Sequence, residues 1–423
     1  MNDLSWIDTA LTAARPQSVA ALLRYFRDLD IAEEAFQEAS LRALQRWPEN
    51  GPPRNPAAWL IMVGRNFAVD QLRRNHRNTA LPDDEALVDP DVNENTLAER
   101  LDNSQYHDDI LRLLFVCCHP DLPVTQQISL ALRIVSGLSV KQIARAFLIN
   151  ERAMEQRITR AKRQVAAAGI EFSTPGAVER SERLGVVAAM IYLLFNEGYS
   201  SSASDAHVRT KLCDEAIRLT RLLLHLFPGE PEIMGLLALM LLQHARASTR
   251  LDADGNVVLL EYQDRSRWNR ELIGEGVAMV DKALRHHHPG PYQVQAAIAA
   301  LHARAARAED TAWNEIDQLY AALERLQPSP VITLNRAVAV SKARGAEAAL
   351  EMIEPLADSL NGYFSFFGVK GALLMQLGRH EQARVSFERA IVLANTVAEA
   401  SHIRMHLDRL TADGGDAEVA KNI

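Results

Sequence analysis

Apolar residues recur every three to four positions along most of the chain. Between residues 31 and 44 the recurring positions are Ala32, Phe36, Ala39 and Ala43, and between residues 154 and 165 they are Met154, Ile158, Ala161 and Val165. This spacing places the apolar side chains on one face of an α-helix and the polar ones on the other. Aromatic residues make up only 6% of the chain, which also favours helices over sheets. The sequence therefore predicts an all-α fold.

Three interruptions of the helical pattern divide the chain. A turn-forming stretch, Pro48–Pro56, falls within the first helical block; residues 80–99 are acidic and lack an apolar stripe; and residues 169–176 contain Gly, Ser, Thr and Pro. We predict a helical domain over residues 1–80, a linker over 81–102, a second helical domain over 103–170 and a long helical domain over 177–412.

The third block contains internal repeats. Ile316, Ala349 and Ala383 lie 33 and 34 residues apart, and each belongs to a similar run of apolar positions. Gly371 precedes Ala383 at a spacing that lets paired helices pack closely. Three copies in register predict a helical solenoid of the tetratricopeptide (TPR) type from about residue 291 to 396.

The sharpest local signal spans residues 138–165. Ser139 and Gln142 form a capping box that opens one helix, and Asn150 is placed to cap a second. Two short helices around a tight connection are typical of a helix-turn-helix. From Lys141 to Arg163 there are seven Lys or Arg and two acidic residues, in a chain of net charge −8. We predict a DNA-binding motif; the alternative is an ordinary helical hairpin whose basic face is solvated.

The first block has two further polar helix faces. Glu34, Gln37, Glu38 and Leu41 lie opposite the apolar stripe of residues 31–44, and Asn66, Asp70, Arg73 and Arg77 recur at helical spacing farther along. An acidic face with an exposed leucine suits docking on a basic partner, although solvated acidic residues on a helix usually have no partner.

The order of these motifs resembles that of bacterial RNA polymerase sigma factors of the extracytoplasmic-function (ECF) type. The matching motifs are Glu33-Glu34-xx-Gln37-Glu38, Asn55-Pro-xx-Trp59-Leu, Arg65-Asn66-xxx-Asp70-xx-Arg73-Arg74 and Gln156-Arg157-Ile-x-Arg160-Ala-Lys162. The resemblance implies that residues 1–80 form sigma region 2 and residues 103–170 form sigma region 4, with no region 3 between them.

The resemblance also implies binding roles for individual residues. Core RNA polymerase would be bound by Glu33, Glu34, Gln37, Glu38 and Leu41; the minus-ten promoter element, as duplex and as melted single strand, by Asn66, Asp70, Arg73, Arg74 and Arg77; and the minus-thirty-five element by Lys141, Arg152, Gln156, Arg157, Arg160, Lys162 and Arg163. Glu155 and Met154 depart from the Lys and Val of many family members, so a base preference does not transfer.

One ECF subgroup carries a C-terminal TPR-like extension in place of a separate anti-sigma protein. This chain is similar to it over residues 115–120, 192–200 and 262–268. The resemblance implies a regulatory role for residues 177–412. A groove for a protein or peptide ligand is predicted from Asn196, Glu197, Tyr199, Asp264, Arg265 and Trp268, although the same residues suit a buried ion-pair lattice equally well.

Several functional classes are disfavoured by the sequence. Cys117-Cys118-His119 has metal-ligand chemistry, but no second Cys/His cluster completes a site, so we expect buried thiols at a helix end and neither metal nor cofactor. The sequence contains no phosphate-binding glycine loop and no nucleophile with a nearby base, so we do not expect the protein to be an enzyme. The longest uncharged apolar run, residues 186–195, is too short to span a bilayer, which predicts a cytoplasmic protein without membrane contact.

Two other functions account for parts of the pattern. A free-standing helix-turn-helix regulator with a ligand-sensing solenoid would use the basic helix and the repeats but has no need of the acidic face at residues 33–41. A TPR scaffold would leave both the acidic and the basic faces unexplained. The acidic face therefore distinguishes the sigma-factor hypothesis from its rivals.

Overall fold

The computed structural model confirms the all-α prediction. It describes residues 5–51, 53–75, 104–119, 121–147, 149–167, 177–199, 206–252, 258–394, 400, 403–408 and 410. Within these ranges the chain forms helices joined by turns and loops, without a β-strand. The predicted linker at residues 81–102 lies outside the described residues. The chain divides into two compact units, residues 1–194 and residues 195–423.

The helices of the first unit are α1 (Ser5–Phe26), α2 (Leu29–Asn50), α3 (Pro56–Asn75), α4 (Ser104–Cys117), α5 (Val124–Ile134), α6 (Val140–Ala146), α7 (Glu151–Ala167) and most of α8 (Ala177–Tyr199). Those that follow are α9 (Ala206–Leu226), α10 (Pro231–His244), α11 (Arg270–Leu284), α12 (Pro291–Arg304), α13 (Trp313–Leu326), α14 (Pro330–Arg344), α15 (Ala346–Ile353), α16 (Phe364–Gln376) and α17 (His380–Leu393).

Helices α1, α2 and α3 pack mutually into a bundle, and α4 packs on α1. The predicted apolar stripe of α2, Ala32, Phe36, Ala39 and Ala43, is buried. Helix α2 includes Pro48 in its last turn and ends two residues later, at Asn50, as expected of a residue that disrupts a helix interior. Gly51 follows with φ of 75°, a left-handed conformation that suits glycine.

Consecutive helices of the second unit pack on one another from α9 to α17. The repeat positions Ile316, Ala349 and Ala383 are all completely buried. Gly371 faces the ring of Phe387 so closely that a Cβ atom would lie 2.6 Å from it, so α16 and α17 approach as the sequence pattern predicts. Among the described residues, no helix has the length and apolar character needed to cross a membrane.

Candidate nucleic-acid interface

Helices α6 and α7 form the predicted helix-turn-helix, and both predicted caps are present. The amide of Gln142 donates to Ser139 Oγ at 3.1 Å, and the amide of Ser139 donates to Gln142 Oε1 at 2.8 Å, which is a reciprocal capping box. Asn150 Oδ1 accepts from the amide of Ala153 at 2.7 Å and caps α7. Local side-chain chemistry thus fixes where each helix begins.

The faces of α7 are divided as its sequence period predicts. Met154, Ile158, Ala161 and Val165 are buried, whereas Arg152, Gln156, Arg160 and Arg163 are exposed. Arg157 is half-buried, with its guanidinium 5.9 Å from the Phe147 ring centroid, and Lys141 is exposed on α6. The exposed cations form a basic strip on a helix of the length that enters a DNA major groove.

Helix α3 presents a second polar surface. Asn66, Asp70 and Arg73 are exposed along one side of this helix. The side chain of Arg74 and all of Arg77 lie outside the described residues. The surface therefore combines an amide, a carboxylate and a guanidinium, groups that hydrogen-bond to base edges and phosphates.

Helix α2 presents the acidic surface. Glu34, Gln37 and Leu41 are exposed, and Glu38 is half-buried with an ion pair of 3.0 Å to Arg42. Leu41 is 56% exposed, so its apolar side chain is open to a partner. Glu33 differs from the rest of this set because it is only 4% exposed.

Glu33 lies at the centre of an ion cluster that joins α1, α2, α5 and α7. Its carboxylate is 2.7 Å from Arg133, 2.7 Å from Lys162 and 3.7 Å from Arg15. Lys162 also contacts the exposed carboxylate of Asp30 at 2.6 Å. We call Glu33, Arg15, Arg133 and Lys162 the Glu33 cluster. It places a predicted polymerase-binding residue against a predicted DNA-binding residue.

Arg15 adds hydrogen bonds to this cluster. Its guanidinium donates to the backbone carbonyls of Ile134 at 2.9 Å and Arg133 at 3.1 Å, at the C-terminal end of α5. A cation there satisfies free carbonyls and interacts favourably with the helix dipole. Gly137, with φ of 74°, leaves room for Arg15, since a Cβ atom would lie 2.7 Å from Arg15 Cδ. Burial lowers the pKa of Arg15 to about 10, and the group remains charged at neutral pH.

The cluster depends on its full complement of charges. Burial alone would lower the pKa of Lys162, but the hydrogen bonds to Asp30 and Glu33 outweigh it and the pKa is raised. Removing one member of a buried ion cluster leaves its partner charged and desolvated, which costs roughly 3–5 kcal/mol in measured cases. Sequence reasoning did not find Arg15 or Arg133. The available signal was that Arg15 is the one charged residue in the mainly apolar run of residues 10–23.

The three cysteines are buried thiols. Cys117 ends α4, as predicted for this pair, and Cys118 follows it. Burial raises the pKa of Cys118 to about 12 and that of Cys213 to about 12, and it raises the pKa of Cys117 well above its usual range. No three His, Cys, Asp or Glu side chains come together as metal ligands within the described ranges.

We expect the native protein to resist thiol reagents, because only the thiolate reacts and these thiols are both protonated and buried. At about pH 8, Ellman's reagent should modify the folded chain at least about 100-fold more slowly than the chain in guanidinium chloride. Rapid modification of even one thiol in the folded state would contradict the burial seen here.

Two of the six residues of the predicted C-terminal groove, Tyr199 and Arg265, are held by contacts with other residues of the second unit. Tyr199 stacks on Phe195 and is covered by Arg250, whose guanidinium lies 3.5 Å from its ring centroid. Arg265 is buried and donates to the backbone carbonyls of His302 and Ala305 at 2.6 and 2.9 Å.

The other four residues contact near neighbours or are half-buried, and none of them lines the cavity of the second unit. Trp268 is buried with its Nε1 donating to Thr249 at 3.0 Å, and Asp264 accepts from Ser266. Asn196 and Glu197 are half-buried on α8. Of the six, only Arg265 lines the large cavity found in the second unit.

Three stretches of the chain match family models of known proteins. Residues 11–78 match the family model Sigma-70 region 2, residues 112–165 match Sigma-70, region 4, and residues 183–284 match a family of unknown function, DUF6596. No solved structure matches the chain. The chain is 67% identical over 413 residues to the uncharacterized protein R00370 of Rhizobium meliloti (strain 1021), covering 98% of each. The chain therefore belongs to one family with that rhizobial protein, a family that carries the region 2 and region 4 domains of RNA polymerase sigma factors.

Proposed function

We propose that this protein is a sigma factor of the ECF type that binds core RNA polymerase, directs it to a two-element promoter and helps to melt the downstream element. One observation carries the proposal. Helix α2, within region 2, has an acidic face that contains a leucine, and α7, within region 4, has a basic face. We assign it no catalytic activity and no cofactor of its own, and we place it in the cytoplasm.

The proposed roles follow the surfaces. Core polymerase would contact the α2 face through Glu34, Gln37, Glu38 and Leu41, and through Glu33 once it is uncovered. The melted minus-ten element would contact Asn66, Asp70 and Arg73 on the α3 face, together with Arg74 and Arg77. The minus-thirty-five duplex would contact Lys141, Arg152, Gln156, Arg157, Arg160, Lys162 and Arg163. Exposure of Arg152, Gln156, Arg160 and Arg163 supports the last assignment.

This function requires the first unit to change its arrangement. Glu33 is 4% exposed behind α5 and α7, so polymerase cannot reach its carboxylate while these helices stay in place. Lys162 is held by the same carboxylate and cannot reach a phosphate at the same time. We therefore interpret the described arrangement as a closed form that opens when the protein joins polymerase at a promoter.

We further propose that residues 177–412 form a TPR-like domain that modulates sigma activity. Complete burial of Ile316, Ala349 and Ala383 at a period of 33 and 34 residues supports the repeat assignment. The division into residues 1–80, 81–102 and 103–170 belongs to the same proposal. A free-standing helix-turn-helix regulator with a ligand-sensing solenoid is the second candidate, and the large cavity of the second unit is the observation that favours it.

The basic face of α7 gives a test of promoter recognition. Replacing Arg152 and Gln156 by alanine should change which minus-thirty-five sequences are used, since base contacts discriminate by about 1–3 kcal/mol each. Replacing Arg160 and Arg163 should instead weaken binding to all sequences and reduce the salt dependence by about 0.9 for each phosphate that is no longer neutralised. Run-off transcription on a promoter library at two salt concentrations measures both effects.

The two double variants serve as controls for each other, because all four residues are exposed on the same helix. An unchanged promoter preference in the Arg152/Gln156 variant would mean that α7 does not read bases through these side chains.

A further inference from the structure

A half-open cavity of about 590 Å³ lies within the second unit. Its walls come from the turn at Leu260–Tyr262 and from α12, α13 and α14. This volume falls in the range of roughly 300–1,000 Å³ that encloses small molecules in proteins. The sigma-factor role proposed above does not use this cavity.

The lining of the cavity is mainly apolar and aromatic. Ile316 and Ala339 are almost completely buried at its floor, and Trp313 and Tyr320 contribute aromatic rings to its sides. Tyr262 lines it too, although 64% of this residue is exposed to solvent. Aromatic side chains in this number favour a flat, apolar ligand, which gains contact area and ring–ring interactions.

One polar atom of the lining lacks a hydrogen-bond partner. His302 Nδ1 is buried and unpaired among the described residues, and the imidazole contacts the Trp313 ring with centroids 5.2 Å apart. Burial, then the nearby Arg246 and Arg265, lower the pKa of His302 to about 4, so the imidazole is neutral at pH 7. A neutral imidazole nitrogen either donates or accepts, according to the tautomer.

The charges around the cavity balance. Arg265 donates to backbone carbonyls and to Thr311, and Lys342 pairs with Glu261 at 2.8 Å. Glu309 is the remaining acidic group in the lining and lies 3.8 Å from Arg307. The lining thus holds two cations and two anions and has no net formal charge to attract an ionic ligand. A hydroxyl group, by contrast, pairs with either tautomer of His302, because it both donates and accepts.

We propose that this cavity binds an uncharged aromatic hydroxy compound, with its ring against Trp313 and Tyr320 and its hydroxyl on the imidazole of His302. The site goes beyond the proposed sigma function, and binding is measured on the protein alone, so either idea can fail without the other. Binding would make the second unit responsive to a small molecule.

Titration calorimetry of the full-length protein with 2-naphthol tests the site. We expect one molecule to bind with a dissociation constant below about 1 mM, in keeping with the efficiency of small ligands. The carboxylate analogue 2-naphthoate should bind at least about tenfold more weakly, because its charge has no partner and must be desolvated.

Matched variants locate the site. Val338→Trp fills the cavity from α14 and should abolish binding, whereas Val392→Trp adds the same ring at a position that is 72% exposed on α17 and should bind as the wild type does. His302→Phe keeps an aromatic ring but loses both imidazole nitrogens, and should reduce 2-naphthol affinity about tenfold, the effect of one hydrogen bond to a buried group.

Circular dichroism melting identifies any variant that fails to fold. If Val338→Trp does not fold, His302→Phe, which keeps an aromatic ring at its position, is the deciding variant. Absence of binding to the wild type, equal binding of 2-naphthoate, or full binding by Val338→Trp would each overturn the proposal.

Discussion

Replacing Glu34, Gln37 and Glu38 together by alanine should reduce the affinity for core RNA polymerase at least about 100-fold. Centrally placed interface residues each contribute about 2 kcal/mol or more, and tenfold in affinity corresponds to about 1.4 kcal/mol. Glu34 and Gln37 are exposed and Glu38 is half-buried, so their loss leaves the core of the region 2 bundle intact. Surface substitutions of this kind change stability by about 0.5 kcal/mol or less.

The chain offers a control of identical chemistry. Glu381, Gln382 and Glu388 are exposed on α17, and changing them to alanine removes the same groups from a helix of the second unit. Polymerase binding is measured by titrating labelled core enzyme with each full-length protein. Equal affinity of the two triple variants would show that the acidic face of α2 is not the polymerase contact, and would favour the free-standing regulator.

Much of the first unit could be predicted from its sequence because its signals are local. A capping box, an N-cap and a four-residue apolar stripe are read within one or two helical turns, and the structure has each of them in α6 and α7. The stripe of α2 is equally readable, since Ala32 and Phe36 lie one turn apart and both are buried. Period and capping act on neighbours in the chain.

The Glu33 cluster could not be predicted in this way. Lys162 lies 129 residues after Glu33. The helical period of α2 places Glu33 beside the apolar stripe and Glu34 opposite it, but it does not identify the cations that surround Glu33. The motif that carries the family resemblance contains both residues, so the resemblance gave them one role. The packing of α5 and α7 against α2 supplies the partners Arg133 and Lys162.

The cavity of the second unit shows the same limit. The dense polar segment that ends at Trp268 suggested a groove, but its residues mostly contact each other and their near neighbours. The Arg265 guanidinium lies 5.0 Å from the Trp268 ring centroid, and of these two residues Arg265 lines the cavity whereas Trp268 is buried against Thr249. The cavity wall also requires Trp313 and His302, which come from helices 34 or more residues farther along the chain.

Weakening the Glu33 cluster should make the protein a better polymerase ligand. Arg133 pairs with Glu33 at 2.7 Å and belongs to neither the predicted polymerase face nor the predicted DNA face. Arg133→Gln removes a charged hydrogen bond worth roughly 1.5–3 kcal/mol in the closed form. If the closed form predominates, the open fraction and the apparent affinity for polymerase should rise about tenfold or more.

Two measurements on the full-length protein separate opening from simple destabilisation. Dyes on cysteines introduced at the exposed positions Glu49 and Ala166 report the distance between α2 and α7, and the buried native thiols should remain unlabelled. Arg133→Gln should both lower the energy transfer and tighten polymerase binding. Arg133→Lys should restore both values. Arg54→Gln removes an exposed charge in the same unit and should change neither. An Arg133→Gln protein that matches Arg54→Gln in both measurements would show that the cluster stabilises the fold without controlling access to Glu33. Because the cluster buries a residue that the proposed function needs, the two measurements must change together if burial is what limits binding.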